Sequence, residues 1–439
     1  MRELRRWLHA RRRPLRYRLL PALLQNQQRT PAQLREQQQR DLENVVRFAA
    51  AHTAYYRQRF AGHLPPAGEP LDPGRLPPLT KDDLRRQRDA LLADTADRDR
   101  VRLGYTGGST GTPLSFYYDE EKMERMRAGM IRSYQWSGWQ PGEKILNFWG
   151  ARQDLKHAGL ARRYRDFIAA EKTIGAWEYD DAKLNAWTRF IRRYRPVLLQ
   201  GYASIIADVA RFVLDNRIKL PPLKGVYSTA EVLYDWQRET MEAAFGCKVY
   251  NQYGCREIPN IALECRQGNM HVFSDMVYLE SVNSDGEDRL LITSLTNYLM
   301  PMIRYENGDS GRLKAGDCAC GSPFPMMEMG VCRDNDFLRT PGGRKIAPSY
   351  FNRLLDGLGG IRRYRFLQTE ADAVRLQIEA DTRLAEATAR ALRDRLASDT
   401  GGGLRLVIEY PDRIERSRSG KHRFVICALD SAGDRRAGS

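Results

Sequence analysis

Long apolar runs are missing from this 439-residue sequence. Its apolar segments, such as Leu19-Leu-Pro-Ala-Leu-Leu24, are far shorter than the roughly 20 residues that cross a bilayer as a helix. The charged start, Met1 to Arg13, is not followed by the apolar stretch and small-residue cleavage site of a secretory signal. We therefore expect a cytoplasmic protein without membrane spans, although the Arg-rich start leaves an organelle transit segment open.

The lysine of a P-loop is missing from the most informative stretch, Gly104-Tyr-Thr-Gly-Gly-Ser-Thr-Gly-Thr-Pro113. A P-loop has lysine directly after its last glycine and continues into a helix, whereas here Leu114-Ser-Phe-Tyr-Tyr118 has the composition of a strand. Glycines let backbone N–H groups approach phosphate oxygens, and the hydroxyls add donors. We predict a phosphate-binding loop between two strands, with a plain Gly/Ser linker as the alternative. The predicted contacts are Thr106, Gly107, Gly108, Ser109, Thr110, Gly111 and Thr112.

A recognised nucleic-acid module is also missing, although 71 basic and 55 acidic residues give a formal net charge of +16. The arginines are spread along the chain, with concentrations in residues 1–18 and in the C-terminal quarter. Such a balance suits a protein that handles phosphate-bearing small molecules or an acidic protein, or one that rests on an anionic membrane surface. Solvated helix faces explain most such arginines, and we expect no nucleic-acid partner.

The length and the pattern of the chain predict an α/β protein of two domains, because 439 residues exceed what one core usually holds. Thr30-Pro31 predicts the start of a helix that continues to about Phe60. Helices then alternate with short apolar strands such as Lys144-Ile-Leu-Asn-Phe-Trp149. Beyond about residue 330, period-two strands and one helix predict a small α+β domain. The expected boundaries are 1–330 for the large domain, with its N-terminal helical segment, and 331–439 for the small one.

Three further motifs carry polar side chains in turns. They are Tyr250-Asn-Gln-Tyr-Gly-Cys-Arg-Glu257, Arg304-Tyr-Glu-Asn-Gly-Asp-Ser-Gly311 and Ser417-Arg-Ser-Gly-Lys-His-Arg423. Taken singly, each has a simpler explanation, because an acidic residue after Asn-Gly is commonly a turn residue and a lysine near the C-terminus is commonly an exposed charge. Their order along the chain, after the phosphate loop, is the informative feature.

Together the four motifs resemble the adenylate-forming (acyl-activating) ligase superfamily, and more narrowly its phenylacetate-coenzyme A ligase and CapK-like branch. The resemblance extends over most of the chain. It implies that Tyr253, with Gly254 in the same turn, flanks the adenine of ATP, that Glu257 binds magnesium and that Asp309 binds the ribose hydroxyls. Lys421 matches the lysine that reaches the substrate carboxylate and the α-phosphate.

The resemblance also implies that the small C-terminal domain rotates between adenylation and acyl transfer, which would carry Lys421 into and out of the site. Arg333 and Arg344 match arginines near the family's hinge, and we expect Arg333 to contribute to cofactor binding. Asn335 stands where an aspartate or a lysine usually acts as the pivot, which leaves Asp336 as the alternative hinge residue.

The implied chemistry is activation of a carboxylic acid by ATP to an acyl adenylate, with release of pyrophosphate. A carboxylate that attacks an α-phosphate must overcome repulsion between anions, so the site needs magnesium, N–H and hydroxyl donors and a cation. Glu257 with magnesium and Lys421 meet that need. The acyl adenylate is then attacked by a thiol or an amine, so no nucleophilic residue of the enzyme is required.

The acid and the acyl acceptor are harder to predict. Phenylacetate ligases use coenzyme A, whereas other relatives form amides or load carrier proteins, and these acceptors stay open, as do a monomer and a homodimer. A catalytically idle nucleotide-binding scaffold in polysaccharide biosynthesis is the alternative of another class, but the presence of Lys421 and Glu257 argues against it. For Trp149, packing in the hydrophobic core is an equally open alternative to a place in the acyl pocket. The other pocket residues are implied only by the resemblance. The pocket residues so implied, which favour an aromatic or otherwise apolar acid, are Trp149, Tyr202, Tyr227, Ser228, Ala230 and Glu231.

The seven cysteines include Cys318 and Cys320, one residue apart. With Cys265 and His271 they can supply the four ligands of a tetrahedral structural zinc site. Some members of the CapK-like branch carry zinc, which supports this interpretation, and reduced cysteines packed as small apolar groups are the alternative. Seven cysteines without a secretory signal suit a reducing compartment. The cysteines expected to be structural are Cys247, Cys255, Cys332 and Cys427.

Overall fold

The computed structural model divides the chain into two units. It describes residues 1–66, 68–105, 114–149, 160–176, 179–284, 287–330, 338–342, 345–346, 350–351, 354–355, 358, 361–415 and 423–429. The large unit contains Met1–Asn307 and Gly311–Met329, and the small unit contains Gly308–Ser310 and the described residues that follow Met329. Both units mix helices and strands. The expected domain boundary between residues 330 and 331 stays a prediction.

Several helices begin where the sequence supplies a capping side chain. Asp119, for example, accepts a hydrogen bond from the backbone N–H of Lys122 at 2.8 Å and caps the sixth helix. Among the described residues, no helix is both long and apolar enough to span a membrane. The helices are α1 (Arg2–Arg12), α2 (Pro14–Asn26), α3 (Pro31–His52), α4 (Ala54–Arg59), α5 (Lys81–Arg86), α6 (Glu120–Gln135), α7 (Leu160–Ala169), α8 (Asp181–Tyr194), α9 (Ala203–Asp215), α10 (Asp235–Phe245) and α11 (Glu386–Asp399).

The predicted single helix from Thr30 to Phe60 is wrong in its second half. Thr30 caps α3 as expected, but α3 ends at His52. Thr53 then has an extended backbone, and its hydroxyl accepts a hydrogen bond from the N–H of Tyr56 at 3.2 Å, which starts α4. The break follows from the competition of a threonine hydroxyl with the helical backbone.

The strands of the large unit form one sheet and one hairpin. They are β1 (Arg102–Tyr105), β2 (Ser115–Tyr118), β3 (Ile145–Trp149), β4 (Glu171–Gly175), β5 (Leu198–Tyr202), β6 (Gly225–Thr229), β7 (Val249–Tyr253), β8 (Ala262–Glu264), β9 (Met270–Val272), β10 (Val277–Ser284), β11 (Glu287–Ser294), β12 (Tyr305–Lys314) and β13 (Met326–Met329). β1 pairs antiparallel with β2. The sheet has eleven strands in the order β10-β11-β12-β13-β9-β8-β7-β6-β5-β3-β4.

The parallel half of this sheet sets the position of the site. Five strands run parallel, in the sheet order β4, β3, β5, β6 and β7. Helix α8 connects β4 to β5, α9 connects β5 to β6, and α10 connects β6 to β7. Parallel strands end at the same edge, where open α/β sheets bind their ligands. Trp149, Tyr202, Thr229 and Tyr253 are the last residues of β3, β5, β6 and β7, so they lie along that edge.

A buried ion pair joins the N-terminal helices to the sheet. Arg132 of α6 is fully buried and donates to Asp275 at 2.5 Å and to the carbonyl of Leu23 in α2 at 3.3 Å. Asp275 also accepts from the amide of Asn26 at 2.9 Å, and the guanidinium lies 4.1 Å from the centroid of the Phe273 ring. Because an unpaired buried charge costs several kcal/mol, this arrangement fixes α2 against the sheet.

The small unit has its own sheet and core. Phe366 is fully buried at its centre, and its ring lies 5.0 Å from that of Phe351. The strands and the single helix expected here are present. The elements are β14 (Leu338–Arg339), β15 (Lys345–Ile346), β16 (Ile361–Glu370), β17 (Ala373–Ala380), β18 (Arg405–Glu409) and β19 (Val425–Cys427), with α11 and the sheet order β18-β17-β16-β19.

Candidate active site and metal centre

The aromatic residues predicted for the acyl pocket occupy two different environments. Trp149 and Tyr202 end neighbouring strands, and their ring centroids are 5.1 Å apart at an interplanar angle of 71°. Tyr227 is fully buried beneath α6, where its hydroxyl donates to the carbonyl of Ser133 at 2.8 Å and its ring stacks on Tyr250 at 5.1 Å. The edge of the sheet therefore presents the first pair, whereas the third ring belongs to the packing under α6.

The end of β6 and the turn that follows it hold the remaining residues of the predicted pocket. Ser228 is fully buried, and Ala230 has φ of 70°, in the left-handed region that favours glycine. Glu231 accepts a hydrogen bond from the backbone N–H of Ser204, at the start of α9, at 2.9 Å. A non-glycine residue held in this conformation stores strain of a kind that clusters at functional sites.

The second and third sequence motifs meet through two side-chain hydrogen bonds. Tyr305 donates its hydroxyl hydrogen to Glu257 Oε1 at 2.9 Å, and the Asn307 amide donates to the hydroxyl oxygen of Tyr253 at 2.9 Å. Glu257 is only 6% exposed. The predicted magnesium ligand and the predicted adenine neighbour are thus each bonded to the strand that carries the predicted ribose motif.

The start of the third motif is fixed by Arg304. Its φ is 47°, and its backbone N–H donates to the Thr293 hydroxyl at 2.9 Å. Its guanidinium pairs with Glu280 at 3.0 Å and also donates to the carbonyl of Leu76. These contacts hold the beginning of β12, and Asp309, partly buried, lies four residues further along the same strand.

Lys122 is a site residue that the sequence reasoning missed. Burial lowers its pKa to about 8, while Cys255 and Glu257 oppose that shift. Its Nζ lies 4.5 Å above the Phe116 ring and has no hydrogen-bond partner among the described residues. The sequence indicates that Lys122 lies in the first turn of α6, after the Asp119 cap, but it does not indicate that the side chain is buried. A cation without a hydrogen-bond partner beside a carboxylate suits a site for anionic ligands.

Other predicted site residues lie outside the residues that the structure describes. They are Thr106, Gly107, Gly108, Ser109, Thr110, Gly111 and Thr112 of the phosphate loop, Arg333 and Arg344, the hinge candidates Asn335 and Asp336, and Lys421. The two strands that flank the loop pair with Arg102 opposite Tyr118 and Tyr105 opposite Ser115. The strands expected on either side of the loop are therefore present.

Four side chains predicted to bind zinc converge in the large unit. One ligand atom from each of Cys265, His271, Cys318 and Cys320 lies within 4.8 Å of the others. The Cys265 and Cys318 sulfurs are 3.7 Å apart, and the Cys320 sulfur is 3.3 Å from His271 Nε2. Zn–S bonds of about 2.3 Å in a tetrahedron separate two sulfurs by roughly 3.8 Å. The donor set and its spacing fit this ion.

The surroundings of the cluster orient its ligands. His271 Nδ1 lies 2.8 Å from the carbonyl oxygen of Phe324, so Nε2 faces the cysteines. The Asn269 amide donates to the Cys318 sulfur at 3.2 Å. Burial opposes ionisation of the Cys318 thiol, but hydrogen bonds from the Cys320 backbone and from Asn269 outweigh it and lower the pKa of Cys318, whereas burial raises the pKa of Cys320.

Comparison with known proteins finds CapK and phenylacetate-coenzyme A ligases among the sequence relatives of the chain. Residues 338–428 match the family described as the CapK C-terminal domain. Protein CapK of Staphylococcus aureus is 29% identical over 248 residues, which cover 55% of this chain and 54% of that protein, so the match spans about half of CapK. The phenylacetate-coenzyme A ligase of Thermus thermophilus is 25% identical over 434 residues, which cover 90% of this chain and 96% of the relative.

Solved structures share the fold at low sequence identity. The 2-hydroxyisobutyryl-CoA ligase in the postadenylation state, in complex with 2-HIB-AMP, has a TM-score of 0.69 at 18% identity and covers 90% of this chain and 89% of that one. The anthranilate CoA ligase AuaEII in complex with anthranoyl-AMP has a TM-score of 0.50 at 15% identity and covers 80% and 73%. The solved structures confirm the predicted fold class, and the sequence relatives named above confirm the predicted resemblance and the predicted class of enzyme.

Proposed function

We propose that this relative of CapK and the phenylacetate-coenzyme A ligases activates a carboxylic acid with ATP and transfers the acyl group to coenzyme A. The first step forms an acyl adenylate and releases pyrophosphate. The second step forms a thioester between the acyl group and coenzyme A and releases AMP. The similarity to a phenylacetate-coenzyme A ligase over 90% of the chain supports this order of reactions.

One structural observation carries the proposal. The hydrogen bonds from Tyr305 to Glu257 and from Asn307 to Tyr253 join residues that are 48 and 54 positions apart in the sequence. They bring the turn after β7 against β12, which are the two segments that the resemblance assigns to adenine, magnesium and ribose. The nucleotide would lie where these segments meet the carboxyl ends of the parallel strands.

The residues have distinct tasks in the first step. Glu257, oriented by the Tyr305 hydroxyl, would hold the magnesium ion, which when bound offsets phosphate charge. Asp309 would accept hydrogen bonds from the ribose hydroxyls. Lys421 would bring a cation to the substrate carboxylate and the α-phosphate as they react, and so lower the repulsion between the two anions.

The acid in this proposal is aromatic or otherwise apolar. Trp149 and Tyr202 pack edge to face at the ends of adjacent strands, where ligands reach such sheets. The two structural relatives are named for 2-hydroxyisobutyryl and anthranoyl groups, so the shared fold accommodates acids of different size. An amine or an acidic carrier protein as acceptor is the alternative second step.

Zinc has a structural task in this proposal. Cys265, His271, Cys318 and Cys320 would hold one ion, which would tie the turn after β8 to the segment before β13. The ion would favour the thiolate forms of its cysteine ligands. Rotation of the small unit about Asn335 or Asp336, a cytoplasmic location and the choice between monomer and homodimer stay predictions.

The test is product analysis with a panel of carboxylic acids. Purified protein is incubated with ATP, magnesium, coenzyme A and one acid at a time, and nucleotides and thioesters are identified by mass spectrometry. We expect AMP, pyrophosphate and an acyl-coenzyme A with at least one apolar acid. Formation of ADP and phosphate would contradict the proposal, whereas acid-dependent AMP without a thioester would redirect it to an amine or carrier acceptor.

A further inference from the structure

A continuous basic and aromatic surface lies on the large unit, away from the site described above. We call it the basic-aromatic surface, and it is formed by α1, α7, the end of α8 and the segment before β6. Its exposed apolar side chains are Leu4 and Trp7 on α1, with 48% and 53% exposure, and Tyr164 and Phe167 on α7, with 55% and 42% exposure.

Arginines cover these rings without burying them. The Arg5 guanidinium lies 5.0 Å from the centroid of Phe167, Arg11 lies 4.8 Å from Trp7, and Arg12 lies 5.8 Å from Tyr164. No residue of α1 is buried. The helix therefore presents apolar and cationic groups together to the surroundings of the protein.

A basic groove continues the surface at the end of α8. It encloses about 530 Å³ and combines four arginines with a lysine. Arg192 and Arg193, both exposed, lie in the last turn of α8. The lining residues are Arg189, Arg192, Arg193, Arg195, Lys219 and Leu220, with Pro221 beside them.

The groove and the aromatic helices adjoin each other. Lys144 Nζ donates to the carbonyl of Tyr194, the last residue of α8, at 2.8 Å, and Lys172 of β4 lies 5.4 Å from the centroid of the Tyr194 ring. Burial lowers the pKa of Lys144, and the charges of Arg5 and Arg195 lower it further. The carbonyl of Arg2 also lies against Gly142, just before β3. The cations of α1 and of the groove therefore contribute to one region of positive electrostatic potential.

The topology puts this surface at the opposite edge of the sheet from the predicted site. Lys144 precedes β3, Arg195 precedes β5 and Lys219 precedes β6, so all three lie at the amino ends of parallel strands. Trp149 and Tyr202 lie at the carboxyl ends. A large partner on the basic-aromatic surface would leave the acid-binding edge open.

We propose that the basic-aromatic surface docks the protein on an anionic lipid bilayer. Tryptophan, tyrosine and phenylalanine side chains insert at the boundary between headgroups and acyl chains, while arginines pair with lipid phosphates. A surface for nucleic acid needs the cations, but it does not need exposed Leu4 and Trp7 on one turn of a basic helix. The combination of charge and apolar exposure favours the bilayer.

The test is co-sedimentation of the full-length protein with vesicles. We expect binding to vesicles of phosphatidylcholine with about 30% phosphatidylglycerol, weakening as salt is raised, and little binding to phosphatidylcholine alone. A short DNA duplex is measured in parallel. Binding to the duplex without binding to anionic vesicles, or equal binding to both kinds of vesicle, would overturn the proposal.

Two double variants locate the binding. Arg192→Glu with Arg193→Glu should weaken vesicle binding about tenfold or more, and Leu4→Ser with Trp7→Ser should weaken it at every salt concentration. Arg75→Glu with Arg100→Glu makes the same charge change at exposed arginines outside the surface and should weaken binding far less. The melting temperature should stay unchanged in all three. Equal loss in the control pair would mean that net charge alone drives binding and would contradict docking through this surface.

Discussion

The cysteine cluster and the turn that carries Glu257 are both polar groups buried in the large unit, but they are built differently. In the cluster, four donor atoms already lie within 4.8 Å of one another, and Asn269 and the Phe324 carbonyl orient two of them. In the turn, Glu257 accepts from Tyr305, while the Lys122 ammonium nearby has no hydrogen-bond partner among the described residues.

The difference separates a structural site from a reactive one. A metal that is completely enclosed by protein ligands contributes to folding and leaves no position for substrate. The turn instead places a buried carboxylate near a buried cation that has no hydrogen-bond partner among the described residues. Such a pair can bind a charged ligand. Changes at the cluster should therefore act on stability, and changes around the turn should act on nucleotide chemistry.

The largest effect is expected at the cluster. Cys265→Ser removes one of the thiolates, so bound zinc should be lost and the free energy of unfolding should fall by on the order of 4 kcal/mol or more. Metal analysis and thermal unfolding measure both effects. Cys247→Ser, outside the cluster, is the control. If freshly purified, reduced wild-type protein contains no zinc, the cluster is not a zinc site.

The ribose contact is expected to have the next largest effect. Asp309→Ala removes a charged acceptor of two hydrogen bonds, each worth roughly 1.5 to 3 kcal/mol, so ATP should bind about a hundredfold more weakly or worse. Calorimetric titration with ATP measures the loss, with the exposed Asp317→Ala as control. Unchanged affinity would mean that Asp309 does not contact the ribose.

Lys421, the lysine of the fourth motif, should affect one half-reaction only. Lys421→Ala should slow pyrophosphate exchange by a factor on the order of a hundred, because a charged contact in the transition state is deleted. The variant should still convert a chemically made acyl adenylate into product when the acceptor is supplied. Lys314→Ala, an exposed lysine, is the control. Exchange at the wild-type rate would show that Lys421 plays no part in adenylation.

The smallest effect is expected from the hydroxyl that orients Glu257. Tyr305→Phe keeps the buried ring but deletes a hydrogen bond to a charged group, worth about 1.5 to 3 kcal/mol. The magnesium concentration needed for half-maximal exchange should rise about tenfold, while zinc content stays unchanged. Tyr298→Phe is the matched control. A fall in zinc content would contradict the independence of the two sites.

Local signals in the sequence predicted much of the fold. The Thr30 cap and the apolar run before Trp149 predicted the start of α3 and the strand β3, because capping and strand composition act within a few residues. The cysteine spacing identified a ligand set that the structure brings together. Thr53 was missed because a threonine inside a helical pattern breaks the helix only when its hydroxyl finds a backbone partner.

Tertiary packing decided the parts that the sequence did not reveal. The alternation of a strand does not say which helix covers it, so the sequence did not reveal that Tyr227 is buried beneath α6, where its hydroxyl donates to the carbonyl of Ser133. Lys122 is buried because Phe116 lies under its ammonium, and that contact depends on how β2 meets α6. The available clue to its burial was a charged residue, Lys122, on the face of α6 that the rest of the protein covers.

Acid-dependent exchange of labelled pyrophosphate into ATP, with no acyl acceptor present, tests the central claim most directly. We predict exchange only with magnesium and a suitable apolar acid. In Glu257→Gln, exchange should be lost while the zinc content and the melting temperature stay unchanged. Exchange at the wild-type rate in Glu257→Gln, or no exchange with any acid by protein that binds ATP, would contradict it.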